Sequence, residues 1–494
     1  MSGTTESAER KLVWKIDLIL MPVLTVAYGL QFYDKAVLGS ASVFGIIEDL
    51  HLSTKHNGVT STQRYSTANA AFYYGYIVGV LPIALILQRV PLVKTLSAFI
   101  FLWGVICMLT VVVTSYPGLV VQRIFLGIVE SSVSPGFLAI TALWYTKKEQ
   151  TARLGIWYSA TGIFSMFSGL INYGLGHASG KLATWKYMYL FGGSWTILWS
   201  VVVLLVIPTS PNEPGRWFTE EEKVLLKQRL ASNMTGKDQT QWKWDQVFES
   251  IRDIKLWLFL LCASAIYVCN GGVTAFGARI ITSFGYSSLN AILLQIPGGA
   301  MTCLTIWISG YFAGRYKNIR TYLLPITCWP MIIGAVMVWK GSWIHRALPL
   351  WGYYLVASFG APYVLILSLA AANVAGGTKK AICSGMIFIG YNVGNIIGGY
   401  IVLTPEAHIH YKSTWIAIIV CMCFVSVASL ALRYILNAEN KRRDGLLTSS
   451  TPFPSASKKG DDELSKAEDQ EETGNKFAFE DLTDFQQKDF KYVL

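Results

Sequence analysis

The sequence predicts an all-α membrane protein with twelve transmembrane helices, arranged as two halves of six. Three observations predict this fold class. Hydrophobic residues make up 53% of the 494 residues, charged residues only 14%, and the mean hydropathy is +0.42, which excludes a soluble domain with an ordinary surface. Apolar windows of about 20 residues, enough to cross a bilayer, recur along the chain. A polar stretch at 208–255 separates the first six windows from the last six.

The predicted organisation follows from these windows. A cytosolic N-terminus (1–15) precedes an N-terminal half (16–207), a cytosolic linker (208–255) and a C-terminal half (256–436). The tail, 437–494, is rich in Ser, Asp, Glu and Lys beyond Asp444 and is predicted to be cytosolic and disordered, with a possible binding element at 477–484. The predicted spans are 16–34, 66–87, 93–114, 118–143, 153–175, 185–207, 256–282, 289–313, 321–340, 349–373, 381–403 and 414–436.

The basic residues predict the orientation. Lys and Arg are concentrated before the first span, between the fourth and fifth spans and after the last, so both termini are expected in the cytoplasm. The net charge of +11 therefore reflects topology, and no nucleic-acid partner is expected. All eight cysteines fall within predicted spans without the neighbours of a metal site, so neither a metal nor another cofactor is expected.

Arg123 and Glu130 are the only charges in the fourth apolar run, 117–145. Seven residues correspond to about two helical turns and ~10 Å of rise, so both side chains share one face but do not readily meet. A charge inside the membrane requires protein or water around it, which favours a functional polar seam. The alternative is a structural ion pair that holds helices together.

A faint internal repeat supports the division into halves. Short basic turns follow the second span (85–96) and the eighth (310–321), at matching places in the two halves. The second turn, G-Y-F-A-G-R-Y-K-N-I-R-T, resembles the glycine-and-basic loop of major facilitator transporters. The first turn is a degenerate form of that loop.

Several segments, read in order, resemble fungal allantoate-permease-like transporters of the anion:cation symporter family. The resemblance covers essentially the full chain and implies the major facilitator fold and uptake of organic anions, vitamins or their precursors, or nitrogen-rich carboxylates, with protons. The segments are Y-D-K-A-V-L-G-S-A-S-V-F-G-I-I-E-D-L-H-L (33–52), R-I-F-L-G-I-V-E-S-S-V-S-P (123–135), W-Y-T-K-K-E-Q-T-A-R (144–153), N-G-G-V-T-A-F-G (270–277), Q-I-P-G-G-A (295–300), G-Y-N-V-G-N-I-I-G-G-Y (390–400) and D-L-T-D-F-Q-Q-K-D-F-K-Y-V-L (481–494).

The resemblance implies a proton-coupling role for Arg123, which with Gly127 matches the superfamily's arginine-glycine motif in helix four. Arginine offers a permanent cation to a carboxylate, whereas the carboxyl of Glu130 can change its protonation. Asp34 is either a third proton site at the cavity mouth or the end of the first helix. We hypothesise that protonation of Asp34 or Glu130 frees Arg123 to hold an anionic substrate.

Candidate substrate contacts are polar and aromatic residues at mid-membrane. Close packing of small residues is the alternative for the glycines that surround them in helix eleven. Arg279 is either a second cationic contact, suited to a larger or dianionic substrate, or a side chain that reaches the outer interface. The remaining candidates are Asn270, Thr274 and Phe276 in helix seven, Asn392 and Asn395 in helix eleven, and Tyr73 in helix two.

The predicted function is secondary active transport, with proton-coupled uptake of a small organic anion through a plasma-membrane protein that acts as a monomer. Helix five lacks the glycine-proline cluster that marks many drug and metabolite antiporters of the superfamily that this chain resembles, so the resemblance favours uptake. Export of a fungal metabolite is the alternative. A nutrient sensor is a third possibility, although only the linker and tail would be left to signal. The sequence shows no nucleophile motif, metal cluster or phosphate-binding loop, so an enzyme is not expected.

Overall fold

The protein is described by a computed structural model that covers residues 2–56, 59–178, 180–211, 217–231, 243–316, 318–450, 482–487 and 489–494. Twelve helices or helix pairs in these ranges are long and apolar enough to cross a membrane. This confirms the predicted number of spans. The candidate spans run over Ser7–Ala41, Gln63–Leu87, Leu92–Val112, Tyr116–Trp144, Ala152–Gly176, Thr184–Val206, Ile254–Ser283, Ser288–Arg315, Arg320–Lys340, Ala347–Asn373, Gly377–Ile401 and Lys412–Leu446.

The first six spans and their connections contain nine α-helices and a short antiparallel hairpin, in which Thr54 pairs with Ser61. The helices are α1 (Ser2–Ala41), α2 (Ile46–Asp49), α3 (Gln63–Arg89), α4 (Leu92–Leu109), α5 (Tyr116–Glu130), α6 (Val133–Trp144), α7 (Lys147–Tyr158), α8 (Ala160–Gly176) and α9 (Thr184–Val206), and the strands are β1 (Thr54–His56) and β2 (Val59–Ser61).

Two linker helices connect the halves, and eight further helices build the second half. The linker helices are α10 (Glu220–Ala231) and α11 (Trp244–Arg252). The others are α12 (Ile254–Ser283), α13 (Ser288–Leu293), α14 (Ile296–Arg315), α15 (Arg320–Lys340), α16 (Ala347–Val356), α17 (Gly360–Asn373), α18 (Gly377–Ile401) and α19 (Lys412–Ser450).

The fourth span is broken between α5 and α6, directly after Glu130. Pro135 lies in the first turn of α6 and has no N–H to donate to the carbonyl of Ser131, so the regular ladder is interrupted there. The break separates Glu130 from the rest of the span. It leaves this carboxylate at the end of a helix, facing the protein interior.

Glycines set the spacing between neighbouring helices. A Cβ at Gly127 would overlap the carbonyl oxygen of Phe72, and one at Gly75 would overlap the carbonyl oxygen of Ile124, so α3 and α5 pack backbone against backbone. Three glycines of α18 make the same kind of contact with α12. They are Gly390, Gly394 and Gly398, and they support the packing interpretation of this series.

Two boundaries differ from the sequence prediction. The first helix extends from Ser2 to Ala41, well beyond the predicted 16–34, and the charges just outside those bounds have partners: Lys15 lies 2.7 Å from Glu222, and Lys35 lies 3.1 Å from Glu130. The predicted disorder of 437–494 is wrong for two segments. Helix α19 continues to Ser450, and the described residues of 482–494 pack against the protein. Of the proposed binding element 477–484, residues 477–481 lie outside the described residues.

The two sides of the helical bundle differ. We call the side with the β-hairpin the hairpin face, and the side with the linker helices and residues 482–494 the tail face. Among the described residues, the hydrogen bonds between the two halves lie on the hairpin face or deeper in the bundle. They join Thr62 to Thr404, Tyr65 to the carbonyl of Ala275, Tyr400 to Thr67, Tyr158 to Tyr267, and Cys303 to the carbonyl of Ser159. These contacts close the hairpin face.

Candidate functional site

Four charged side chains lie inside the N-terminal half, two on α1 and two on α5. Asp34 and Arg123 are 2% exposed and Glu130 is fully buried, whereas the side chain of Lys35 is 11% exposed. Ionised groups at this depth require partners, because desolvation of an unpaired charge is costly. The partners show how the four groups are divided.

Glu130 pairs with Lys35, and the ammonium nitrogen lies 3.1 Å from the carboxylate. Beyond this ion pair, neither oxygen of Glu130 accepts a hydrogen bond from the described residues. The ammonium group also lies 5.5 Å from the ring centroid of Phe72 and 5.8 Å from those of Tyr76 and Tyr391. Lys35 is therefore shared between a carboxylate and an aromatic wall.

The partners of Asp34 lie on α4. Its carboxylate accepts hydrogen bonds from the indole Nε1 of Trp103 at 2.7 Å and from the thiol of Cys107 at 3.2 Å. Among the described residues, no ion pair within 4.0 Å joins Asp34 to Arg123, and the proton-coupling role of Asp34 stays a prediction. Two donors from α4 satisfy its carboxylate.

Arg123 donates a hydrogen bond of 2.9 Å to the hydroxyl of Tyr189 on α9. The guanidinium carbon also lies 5.9 Å from the centroid of the same ring. Arg123 and Glu130 thus have separate partners, as their spacing predicts. Arg123 ties α5 to α9, whereas Glu130 ties α5 to α1.

A chamber lies between the two halves, beside the Lys35–Glu130 pair. Its wall is mostly aromatic and includes two amides, and among the described residues Lys35 is the one charged side chain that lines it. The lining residues are Tyr28, Gln31, Phe32, Lys35, Tyr73, Tyr158, Thr161, Tyr267, Asn270, Thr274, Phe359, Gly360 and Tyr391. We call this space the central chamber. A neighbouring chamber shares Phe32, Thr161, Thr274 and Phe359 with it.

In the C-terminal half, a chain of hydrogen bonds runs from the wall of the central chamber into the protein behind it. The hydroxyl of Thr274 donates to the side-chain oxygen of Asn270 at 2.9 Å, and the amide of Asn270 donates to Asn395 at 2.8 Å. Asn395 donates in turn to the carbonyl of Tyr391 at 2.9 Å. Helix α18 therefore orients Asn270, which lines the chamber, from behind.

Gln31 is the other amide of the wall. It is 1% exposed, and its Nε2 donates no hydrogen bond to the described residues. An unpartnered buried amide costs free energy unless a ligand or water satisfies it. Gln31 and Asn270 thus offer polar groups from opposite halves of the protein.

Not every predicted contact reaches the central chamber. Tyr73, Asn270 and Thr274 line it, whereas Asn392 and Asn395 are fully buried behind it. Phe276 packs edge-on against Tyr65, with 5.0 Å between the ring centroids, and Arg279 is partly buried outside the chamber lining.

Sequence reasoning missed Lys35. We placed the end of the first span at Asp34 because two adjacent charges usually mark a helix end, but the helix continues through them to Ala41. The apolar residues Ala36, Val37 and Leu38 after the charges were the available signal. Gln31, Tyr267 and Tyr391 were missed as well, because nothing in their local sequence separates them from packing residues.

Known proteins match this architecture. The family model described as Major Facilitator Superfamily matches residues 24–399. The xylose transporter XylE from E. coli, in a partially occluded inward-open conformation, has a TM-score of 0.61 at 14% identity, over 84% of this chain and 97% of its own, and so matches the fold.

Two curated relatives extend over nearly the whole chain. An uncharacterized transporter of Schizosaccharomyces pombe is 33% identical over 99% of this chain and 88% of its own length. Allantoate permease of Saccharomyces cerevisiae is 31% identical over 99% of this chain and 87% of its own. These relatives are transporters and not enzymes. The chain therefore belongs to the major facilitator superfamily, as a multi-pass membrane transporter that resembles the fungal allantoate permease.

Proposed function

We propose that this transporter takes up a small organic anion together with a proton. The observation that carries the proposal is the Lys35–Glu130 pair at the wall of the central chamber. A lysine that lines the chamber is a cation for a substrate carboxylate. A carboxylate without other hydrogen bonds is the group that must be neutralised before the lysine can change partners.

The proposed cycle keeps the site neutral. In the empty transporter, Lys35 is matched by ionised Glu130. When Glu130 takes up a proton, the ammonium group is free to bind the carboxylate of the substrate, and the net charge of the site is again zero. The other two states, an anion beside ionised Glu130 or an empty site with protonated Glu130, leave a buried charge unmatched and are disfavoured. A monoanion therefore travels with one proton, without net movement of charge.

Lys35 replaces Arg123 as the proposed contact to the substrate anion. Arg123 is hydrogen-bonded to Tyr189 and does not line the chamber, whereas Lys35 does. We assign Arg123 and Asp34 the role of holding α5 and α1 in register with α9 and α4, so that Glu130 and Lys35 meet.

The substrate class follows from the wall. A carboxylate suits Lys35, and amide or ureido groups suit Gln31 and Asn270, while the rings of Tyr267 and Tyr391 cover flat surfaces. Allantoate, named in one relative, has this chemistry. The positive-inside bias supports a cytoplasmic tail face, and import across the plasma membrane is the proposed direction.

The test is uptake in yeast cells that lack their own anion permeases. A panel of labelled carboxylates, including allantoate and vitamin precursors, is supplied at several pH values, with and without a protonophore. We expect one or more anions to accumulate faster at acidic pH. We expect the protonophore to reduce this accumulation at least tenfold. Efflux of a preloaded anion without uptake would support an exporter instead, and binding without movement would support a sensor.

A further inference from the structure

The last thirteen residues of the chain form a second polar centre, on the tail face and away from the central chamber. Asp484 is fully buried between two lysines. Its carboxylate lies 2.8 Å from the ammonium group of Lys379 and also pairs with Lys255. Lys379 lies 2.8 Å from both Asp253 and Glu249. Three carboxylates and two ammonium groups are thus concentrated at the ends of α11, α12 and α18.

The neighbouring side chains of this segment continue the contact. The hydroxyl of Thr483 donates to Glu249 at 2.8 Å, and the hydroxyl of Tyr492 donates to Asp484 at 2.8 Å. The guanidinium of Arg443 on α19 donates to the carbonyls of Asp484, Gln487 and Phe490 at 2.9–3.1 Å. Arg443 therefore satisfies backbone acceptors that no regular secondary structure would satisfy.

Two asparagines bind the end of the chain as if it were an added strand. Asn373 accepts from the N–H of Val493 at 2.7 Å and donates to its carbonyl at 2.8 Å. Asn440 forms the same two-way contact with the backbone of Tyr492, at 2.9 Å in both directions. The backbone of Leu494 closes the series with hydrogen bonds to Asn318 and to the N–H of Arg320.

These partners belong to the linker helix α11 and to the C-terminal half. They come from α11, α12, α15, α17, α18 and α19 and from the turn before α15. In the sequence, thirty-one residues, 451–481, lie between the end of α19 and this segment. The segment is bound in the manner of a peptide ligand.

We propose that residues 482–494 are a clasp that binds the tail-face ends of the C-terminal helices into one rigid body, and that the clasp stays docked throughout transport. Alternating access requires one half to move against the other as a unit. The clasp joins helices of one half and leaves the contact between the halves free. Asp484 is its main anchor, because removing one partner from a buried ion cluster leaves the others unmatched.

The electrostatics agree with this role for Asp484. Burial alone would raise the pKa of the carboxyl, but the adjacent Lys255 and Lys379 outweigh it and hold the pKa of Asp484 below its usual value. The carboxylate is therefore ionised whenever the clasp is docked at cytoplasmic pH.

The test uses the full chain with a protease site inserted between residues 451 and 481. After purification in detergent, the chain is cut and washed, and the released fragment is quantified by mass spectrometry. We expect the fragment to remain bound in the otherwise unchanged protein. With Asp484→Asn, we expect at least a tenfold smaller retained fraction. Asp489→Asn is the matched control, since this residue is exposed and in the same segment, and it should retain the fragment.

Uptake measurements distinguish a clasp that transport requires from a docked tail that has no role in transport. Uptake should survive cutting in the unchanged protein and fall at least fivefold in the cut Asp484→Asn variant after washing, while Asp489→Asn behaves like the unchanged protein. Loss of the fragment from the unchanged protein, or full uptake by Asp484→Asn after the fragment has left, would overturn the proposal.

A crosslink tests whether the clasp stays docked. In the double variant Asn373→Cys/Val493→Cys, joining the two thiols with a short thiol-reactive crosslinker should leave uptake within twofold of that of the same variant before crosslinking. Uptake that stops on crosslinking would identify a gate that must open. These measurements can use any anion that the protein transports. Their outcome therefore does not depend on whether a proton accompanies the anion.

Discussion

The two halves of the transporter share a fold but differ in where they place charge. The N-terminal half buries Asp34, Lys35, Arg123 and Glu130 at membrane depth, on α1 and α5. The C-terminal half lines the central chamber with uncharged side chains, and its buried ion cluster lies on the tail face, around Lys379. The difference suggests a division of labour, in which the first half moves the proton and binds the carboxylate of the substrate, while the second half recognises the uncharged part of the substrate.

Loss of the chamber cation should have the largest effect. We expect Lys35→Met to reduce uptake by ~100-fold or more, because the carboxylate of the substrate loses its cation, and to lower thermal stability, because removing one partner of a buried ion pair costs about 3–5 kcal/mol. Lys94→Met, at an exposed position of α4, is the control. The double variant Lys35→Met/Glu130→Gln leaves no unmatched carboxylate, so it should recover thermal stability but not uptake. Uptake by Lys35→Met close to that of Lys94→Met would break the division between the halves.

Neutralisation of Glu130 should separate binding from coupling. In Glu130→Gln the loaded site is neutral, but the empty site keeps the unmatched charge of Lys35, so the empty transporter returns poorly. We expect exchange of internal for external anion to continue, while accumulation driven by a pH gradient falls about tenfold or more. Glu48→Gln, on an exposed surface of α2, should leave both unchanged.

The sequence predicts much of the fold and only part of this division. Arg123 and Glu130 were recognisable because they interrupt a long apolar run, and the number of spans followed from hydropathy. The partners of these charges were not recognisable. Trp103, Cys107 and Tyr189 come from other helices, and their side chains are ordinary within apolar segments. Lys35 was hidden by its neighbour Asp34, because adjacent charges resemble the end of a span.

Residues 482–494 show a different limit of prediction from sequence. The polar composition of the tail predicts disorder, and composition does not reveal that Asn373, Asn440 and Lys379 are positioned to receive it. Contacts between segments that are 52 to 120 residues apart in the sequence depend on the completed fold.

A change in the C-terminal half should alter recognition and leave coupling intact. We expect Asn270→Ala to raise the KM for the transported anion about fivefold, which corresponds to the loss of one hydrogen bond of ~1 kcal/mol. Protonophore sensitivity and the pH profile of uptake should stay as they are, because the Lys35–Glu130 pair is intact. Asn290→Ala, at an exposed site, is the control. A shifted pH profile in Asn270→Ala would show that coupling extends into the second half.

Arg279 should have the smallest effect. Because it does not line the central chamber, we expect Arg279→Gln to change KM and the order of preference among the panel anions by less than twofold. Measurement of uptake for one monoanion and one dianion checks this. Selective loss of the dianion would place Arg279 at the site and give the C-terminal half a cation of its own.

The central claim is that Glu130 carries the proton that accompanies the anion. Its most direct test measures proton and anion fluxes together in proteoliposomes that contain either the unchanged protein or Glu130→Gln. The account predicts one proton for each monoanion, no response to an imposed membrane potential, and, in Glu130→Gln, anion exchange without proton flux. Continued proton uptake with the anion in Glu130→Gln would contradict it.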